Sequence, residues 1–236
     1  MHHRTASTIV LGLSALTLLV LPGCSPSAAP ATTSGSDSTA QRPDAKGDAK
    51  RNAVPMASAQ LRERLLDESD LGDGYTRKPE RPSGGYDDVT VLGCPALKEL
   101  GADAATGSGG GLDFPHRAKA AFTYTGNGEV TEELYSDAAS KLSDGTGRIF
   151  DAMTGCPAYQ VLADSTPIDI TTQEVPAPRL GDERWSHLLA FSSEGADTVV
   201  KQTAIRDGSV LLIVSGSPAL VDRHLDTALT KATATS

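Results

Sequence analysis

An α+β fold built on a mostly antiparallel sheet of about five to six strands is what this 236-residue sequence predicts, and three observations carry that expectation. Five strand-like runs follow Pro157 with short, turn-rich connections, so they pair with their neighbours as an antiparallel C-terminal meander. Two stretches of helical period, a long one in the middle of the chain and one at its C-terminus, supply the layer that packs on the sheet. About 175 residues remain for folding once an N-terminal leader and a polar linker are set aside, the size of one domain with one core.

The leader comes first. "MHHRTAS" is weakly positive through Arg4 and the amino group, and "TIVLGLSALTLLVL" adds about fourteen mostly apolar residues, the anatomy of an export signal. That run falls short of the roughly 20 residues a membrane-spanning helix needs. Leu21-Pro22-Gly23-Cys24 follows and resembles the lipobox of bacterial lipoproteins, in which a small residue precedes a cysteine that is diacylated on sulfur, with palmitate-type chains, and becomes the new N-terminus. Pro22 stands where a small or β-branched residue is usual. The resemblance implies a signal peptide over 1–23 and Cys24 as the lipid-attachment residue, two acyl chains giving a stable anchor where one gives only marginal residence. The alternative is ordinary cleavage near "SAAPA", leaving a secreted chain with a spare thiol.

Residues 24–57 carry the attachment point and then a stretch rich in Ser, Ala, Thr, Pro and small charged residues. It has almost nothing apolar to bury and predicts a disordered tether with a reach of about 30 Å. The folded domain is expected over 58–233. Loss of the leader removes Arg4 alone from the 21 basic residues, leaving 20 against 30 acidic ones. Such a balance argues against nucleic acid and against adsorption to anionic headgroups, both of which need clustered positive charge. Aromatic residues, at 4%, are too sparse for an obvious carbohydrate-stacking surface.

With Cys24 taken by lipid, Cys94 in "GCPAL" and Cys156 in "GCPAY" remain, an even number in an oxidising compartment. A disulfide between them would close a loop of about 60 residues and stabilise the fold by ~4 kcal/mol on the chain-entropy model. A metal site would need further ligands flanking the cysteines, and a redox site a C-x-x-C pair, and neither is present. The proline after each cysteine is expected to stop regular structure there.

Along the domain, Ser58 caps a short helix, "SAQLRERLLDE", with Leu61, Leu65 and Leu66 on one face. From Pro79 to Pro115 the chain is poor in periodicity apart from a short "VTVL", and the cysteine staple is what would hold it. "TGSGGG" lacks the Gly-Lys-Ser/Thr that a phosphate loop needs and reads as a flexible loop. "RAKAAFTYTG" puts Ala118, Ala120, Phe122 and Tyr124 on one side of a strand, and "GNGE" turns the chain. A helix is expected from about Glu129, with Val130, Leu134, Ala138, Leu142, Ile149, Phe150 and Met153 near a 3.6-residue period and Gly145 and Gly147 as a kink or break. The strands of the meander are "AYQVLAD", "IDITTQEV", "ERWSHLLAFSS", "DTVVKQTAIR" and "SVLLIVSG", with Asp-Gly in "RDGS" as a hairpin turn. "VLLIV" is apolar on both faces, which predicts a central strand covered twice. Ser217 and Pro218 start the last helix, whose stripe is Leu220, Val221, Leu225, Ala228 and Leu229.

No catalytic constellation emerges. There is no G-x-S-x-G elbow, and strand alternation in "ERWSHLLAF" places Trp185, His187, Leu189 and Phe191 on one face with Ser186 on the other. The adjacent acids Asp87-Asp88 and Asp182-Glu183 read as solvated turn residues, since neighbours on a strand face opposite ways. His116, in a loop, and His224, on the last helix, have no zinc spacing. Trp185, the single tryptophan, and His187 are the candidate ligand-binding pair, with core packing as the plainer role for both. No metal, cofactor or enzyme activity is expected.

The order "LLDESDLGDGY", a helix ending in "GCPAY", "LGDERW" leading a strand and "RDGSVLLIV" closing a hairpin resembles one family. These are the extracellular sensor-type domains of actinobacterial transmembrane serine/threonine kinases, found also alone in envelope lipoproteins. The resemblance spans about 58–233. It implies a mixed sheet with helices, a disulfide-braced cleft and a non-catalytic ligand- or signal-binding role. Kinase-linked members carry two internal disulfides and this chain has thiols for one, so no binding residue is carried over. The expected protein is a lipid-anchored domain on the outer face of the cell membrane. It would recognise a small molecule, an envelope component or a protein, the alternatives being a lipid or glycolipid carrier and an envelope hydrolase.

Overall fold

The computed structural model describes residues 54–79, 89–105, 112–126, 128–163, 166–193 and 195–234. The leader, Cys24, the tether up to residue 53, Asp87-Asp88 and the "TGSGGG" run lie outside them. The elements in chain order are α1 (Ser58–Glu63), α2 (Glu68–Leu71), β1 (Tyr75–Arg77), β2 (Val89–Leu92), α3 (Pro95–Leu100), α4 (Ala102–Ala105), β3 (His116–Tyr124), β4 (Gly128–Ser136) and α5 (Ala139–Gly155). The meander follows as β5 (Ala158–Ala163), β6 (Thr166–Glu174), β7 (Glu183–Ser193), β8 (Ala196–Asp207) and β9 (Val210–Gly216), and α6 (Pro218–Ala232) ends the domain.

One antiparallel sheet of nine strands runs in the order β1-β3-β4-β9-β8-β7-β6-β5-β2. The class is the α+β fold expected, and the strand count exceeds the five to six expected for identifiable reasons. The segment from Glu129 is a strand up to Ser136, and the helix begins at Ala139. Val130 and Leu134 are four apart, a spacing that satisfies both the 3.6 and the 2.0 period, and Thr131 and Tyr135 favour the strand. β1 and β2 have only three and four residues, too few to show alternation. His116 opens β3 opposite Ser136 and is not in a loop.

The segment around Cys94 is more regular than expected. Pro95 does not stop structure there: it is the first residue of α3, where a missing N–H costs nothing, with Cys94 as the N-cap. Pro157 follows the end of α5, so the same tetrapeptide opens one helix and follows another. Cys94 and Cys156 form the disulfide, their Cα atoms 5.8 Å apart. α5 is one 17-residue helix, unbroken at Gly145. That glycine leaves room for Phe114, whose Cζ would lie 2.8 Å from a Cβ there.

Helices cover opposite faces of the sheet. On one, α1 and α6 pack over β3, β4, β9 and β8, burying Leu61, Leu66, Phe122, Leu134, Val221 and Leu225. On the other, α5 lies over β6 to β9, burying Leu142, Met153, Ile170 and Leu189, while α3 and α4 lie over β2. β9 serves both cores, as its run of apolar residues predicts. The β8–β9 hairpin turns through Gly208 and Ser209, one residue later than expected, with Asp207 paired to Val210 and Gly208 at φ +61°.

The N-terminal segment is strapped to the domain from Met56, whose N–H bonds Ser136 Oγ at 2.9 Å. Arg64 donates to the Ala232 carbonyl at 3.0 Å, and Lys231 pairs with Asp67 and Asp70. Lys231 holds Asp67 well below the usual carboxylate range. Beneath the strap Glu132 is 1% exposed; its Oε2 accepts the Leu66 N–H at 2.6 Å. Desolvation raises the Glu132 pKa from 4.5 to about 7, outweighing the Leu66 bond and the lowering by Lys231 and Arg77; Asp70 adds to the rise.

A carboxyl with a raised folded-state pKa contributes stability that is present below its unfolded pKa and lost as pH rises through the folded one. Glu132→Gln is therefore expected to match the wild type near pH 4.5 and to exceed it by about 3 kcal/mol above pH 7. Urea unfolding at pH 4.5 and pH 8 checks this, and an equal difference at both pH values would contradict it.

Candidate functional site

A cleft of about 470 Å³ opens where the C-terminal half of α5 meets the β6–β7 connection. α5 brings Phe150, Asp151 and Thr154, β6 and the connection bring Glu174 and Val175 to Ala177, and β7 brings Arg184, Trp185 and Ser186. Thr154 returns its hydroxyl to the Phe150 carbonyl at 2.8 Å, closing the last turns of the helix before the disulfide. The Trp185 and Phe150 rings, their centroids 6.1 Å apart, form the apolar wall, and the charges of Asp151, Glu174 and Arg184 surround it.

The β6–β7 connection is held against β8. Asp182 N–H donates to the Arg206 carbonyl at 2.7 Å, and Asp182 Oδ2 accepts the Gly208 N–H at 2.9 Å. Arg206, its side chain 8% exposed, spans both acids, Nη1 to Asp182 at 3.0 Å and Nη2 to Glu183 at 2.9 Å. The Asp182-Glu183 pair is thus convergent rather than a pair of solvated turn acids. Asp182 precedes β7, so strand alternation does not separate it from Glu183. The Arg206 guanidinium beside Glu183 holds that carboxyl below its usual range.

The candidate pair Trp185 and His187 shares a sheet face, as alternation requires, but the structure separates their settings. Trp185 is half-buried and lines the cleft. His187 does not line it: the ring is 0% exposed and lies 4.5 Å from Phe150, with Gln202 opposite across β7 and β8. Burial lowers its pKa to about 4, against an opposing effect of the Gln202 side chain, so it is neutral at pH 7. Ser186 faces the other way, its hydroxyl 2.9 Å from that of Thr203. Among the described residues no group of three His, Cys, Asp or Glu side chains is placed to hold a metal ion. His224, on the buried face of α6, instead meets the Tyr75 hydroxyl at 2.6 Å.

Phe150, Asp151, Thr154, Glu174 and Arg184 were not singled out as site residues in the sequence. Phe150 reads there as one position of a core stripe, and the approach of α5 to β7 is a long-range contact with no local signature. The "VPAP" run after Glu174 marks only a break in the ladder.

The fold is one seen before in an extracellular domain. The extracellular domain of PknH from Mycobacterium tuberculosis is similar to this chain at a TM-score of 0.58 with 13% identity, covering 76% of this chain and 97% of that one. The Rv0999 orthologue from Mycobacterium smegmatis is similar at a TM-score of 0.39 with 12% identity, covering 75% and 95%. No family model and no curated protein matches the sequence.

Gly181, at φ +62°, lies so close to β8 that a Cβ there would meet Ile205 Cγ2 at 2.5 Å and the Arg206 carbonyl at 2.6 Å. Gly181→Ala is expected to destabilise the domain by more than about 1 kcal/mol, through both strain and the clash. Because the displaced connection is a wall of the cleft, Trp185 emission should shift in the native state. An unchanged spectrum would mean that the connection does not set the cleft.

Proposed function

We propose that the protein is a membrane-anchored extracytoplasmic lipoprotein whose folded domain binds a ligand without catalysis, in the manner of a sensor module. The observation that carries this reading is the cleft of about 470 Å³ walled by Trp185 and Phe150, a volume in the range of small-molecule sites. Its lining combines an apolar floor with a few charged groups, the composition such sites use to fix orientation. Ser186 and His187, on opposite faces of β7, offer no nucleophile and base in reach of each other.

The fold shared with the extracellular domain of PknH supports an extracytoplasmic location for this chain. The Cys94–Cys156 disulfide suits an oxidising compartment. In this reading Cys24 takes two acyl chains and residues 25–57 tether the domain to the outer face of the membrane. The ligand is a small molecule or an envelope component, and the acidic chain has no role on nucleic acid.

The full chain, made in a host that matures lipoproteins, is expected to begin at Cys24 with an added diacylglyceryl mass, and Cys24→Ala to appear in the medium. Native mass spectrometry of the wild type should retain a bound molecule that Trp185→Ala loses. Retention by the Trp185→Ala protein would remove the cleft from the reading, and an unlipidated wild type would remove the anchor.

A further inference from the structure

Resting on the ligand-binding reading of the cleft, we propose that the cleft has an inner compartment behind Phe150. Thr146 and Gln202 form it, with His187 alongside, and it receives a hydroxyl group of the ligand when the Phe150 ring moves aside. Between α5 and the sheet lies a cavity of about 10 Å³ lined by Thr146, Phe150 and Gln202 among the apolar Leu112, Ile149 and Ile213. That is the room of about one water-sized group. Phe150 is the wall shared with the 470 Å³ cleft.

The Thr146 hydroxyl here is not spent on the fold. A threonine inside a helix ordinarily returns its hydroxyl to the carbonyl one turn back, as Thr154 does to Phe150 and Thr230 to Asp226. Thr146 is 1% exposed, and its Oγ1 has no hydrogen-bond partner among the described residues. Buried polar atoms left in this state are rare, because each forfeits its solvation. Gln202 and His187, 3% and 0% exposed, face each other across β7 and β8, and the His187 ring lies against Phe150. Three polar side chains from α5, β7 and β8 therefore meet beneath one aromatic ring, at positions where aliphatic residues would complete the core.

The same surroundings define the guest. Among the described residues no charged side chain lines the cavity, so an ionised group would lose its hydration with no counter-ion there to replace it. Neutral His187 and the threonine hydroxyl offer both donor and acceptor atoms, which an alcohol satisfies with a single oxygen. A carboxylate or carboxamide is larger than the space. The remainder of the ligand would lie in the outer cleft against Trp185.

Phenol and toluene, rings of nearly equal size differing by the hydroxyl, test the compartment in the full chain with Trp185 emission as the readout. The wild type is expected to bind phenol at least about tenfold more tightly than toluene. Phe150→Ala should tighten phenol binding further while keeping that order. Thr146→Val should erase the preference, and since it replaces an unpartnered buried hydroxyl by a methyl it should fold with undiminished stability. Equal binding of the two probes by the wild type overturns the compartment and leaves the outer cleft standing. A phenol preference that survives Thr146→Val overturns it too, as does failure of both the wild type and Phe150→Ala to bind either probe.

Discussion

The two-sided burial of β9 is the constraint on which the remaining architecture depends. From Val210 to Val214 no residue is more than 7% exposed. Val210, Leu212 and Val214 enter the core under α1 and α6, while Leu211 and Ile213 enter the core under α5. A strand with two apolar faces must be covered on both, so α1 and α6, from the two ends of the domain, cover one side of the sheet and α5, from its middle, covers the other. Its own sequence does not fix its register, since a one-residue slip would exchange one apolar set for another. The Gly208-Ser209 turn and the neighbours do. On β4, Glu132 and Glu133 are buried on opposite faces with different partners, Leu66 for one and Lys119 for the other.

The cleft arises where this cover ends. α5 crosses the sheet from β4 toward β5 and stops at Gly155, where Cys156 is tied to the start of α3. β6 and β7 continue past that point, and their connection bends back through Pro176 and Pro178 to Arg206 on β8. The disulfide and the Arg206 clamp thus hold the two walls from opposite sides. Phe150 stands between them on the last turns of the helix, its ring centroid 6.1 Å from that of Trp185 at the cleft and 4.5 Å from that of the buried His187.

Much of this was legible in the residues. Alternation in "ERWSHLLAF" put Trp185 and His187 on one face, the apolar run of β9 announced a doubly covered strand, and Ser217-Pro218 marked the start of α6. The failures share a cause: local pattern is ambiguous where two periods coincide or an element is too short. Val130 and Leu134 suit helix and strand alike, and β1 and β2 are below the length at which a period can be seen. The proline after Cys94 suits a terminator and a first helical residue alike, because position relative to a helix, not identity, decides its effect. Depth was the other missing quantity. Nothing in the order of residues distinguishes Trp185 at a lip from His187 beneath a helix, since that depends on where α5, thirty residues earlier, comes to rest.

The strap between the first and last helices has a mechanical consequence. Arg64 on the carbonyl of Ala232, and Lys231 on Asp67 and Asp70, fasten the entry and exit of the described domain to each other. Tension applied through either end is taken up by these few polar contacts at one corner of the sheet. In strand order that corner, by β1, β3 and β4, is separated from the β6–β7 cleft by β9 and β8. Ends of a folded domain held so close together are also the geometry in which one domain can be spliced into a loop of another, or have its order of elements rotated, without rebuilding the core. The seam that joins the two ends of the domain therefore lies away from the cleft.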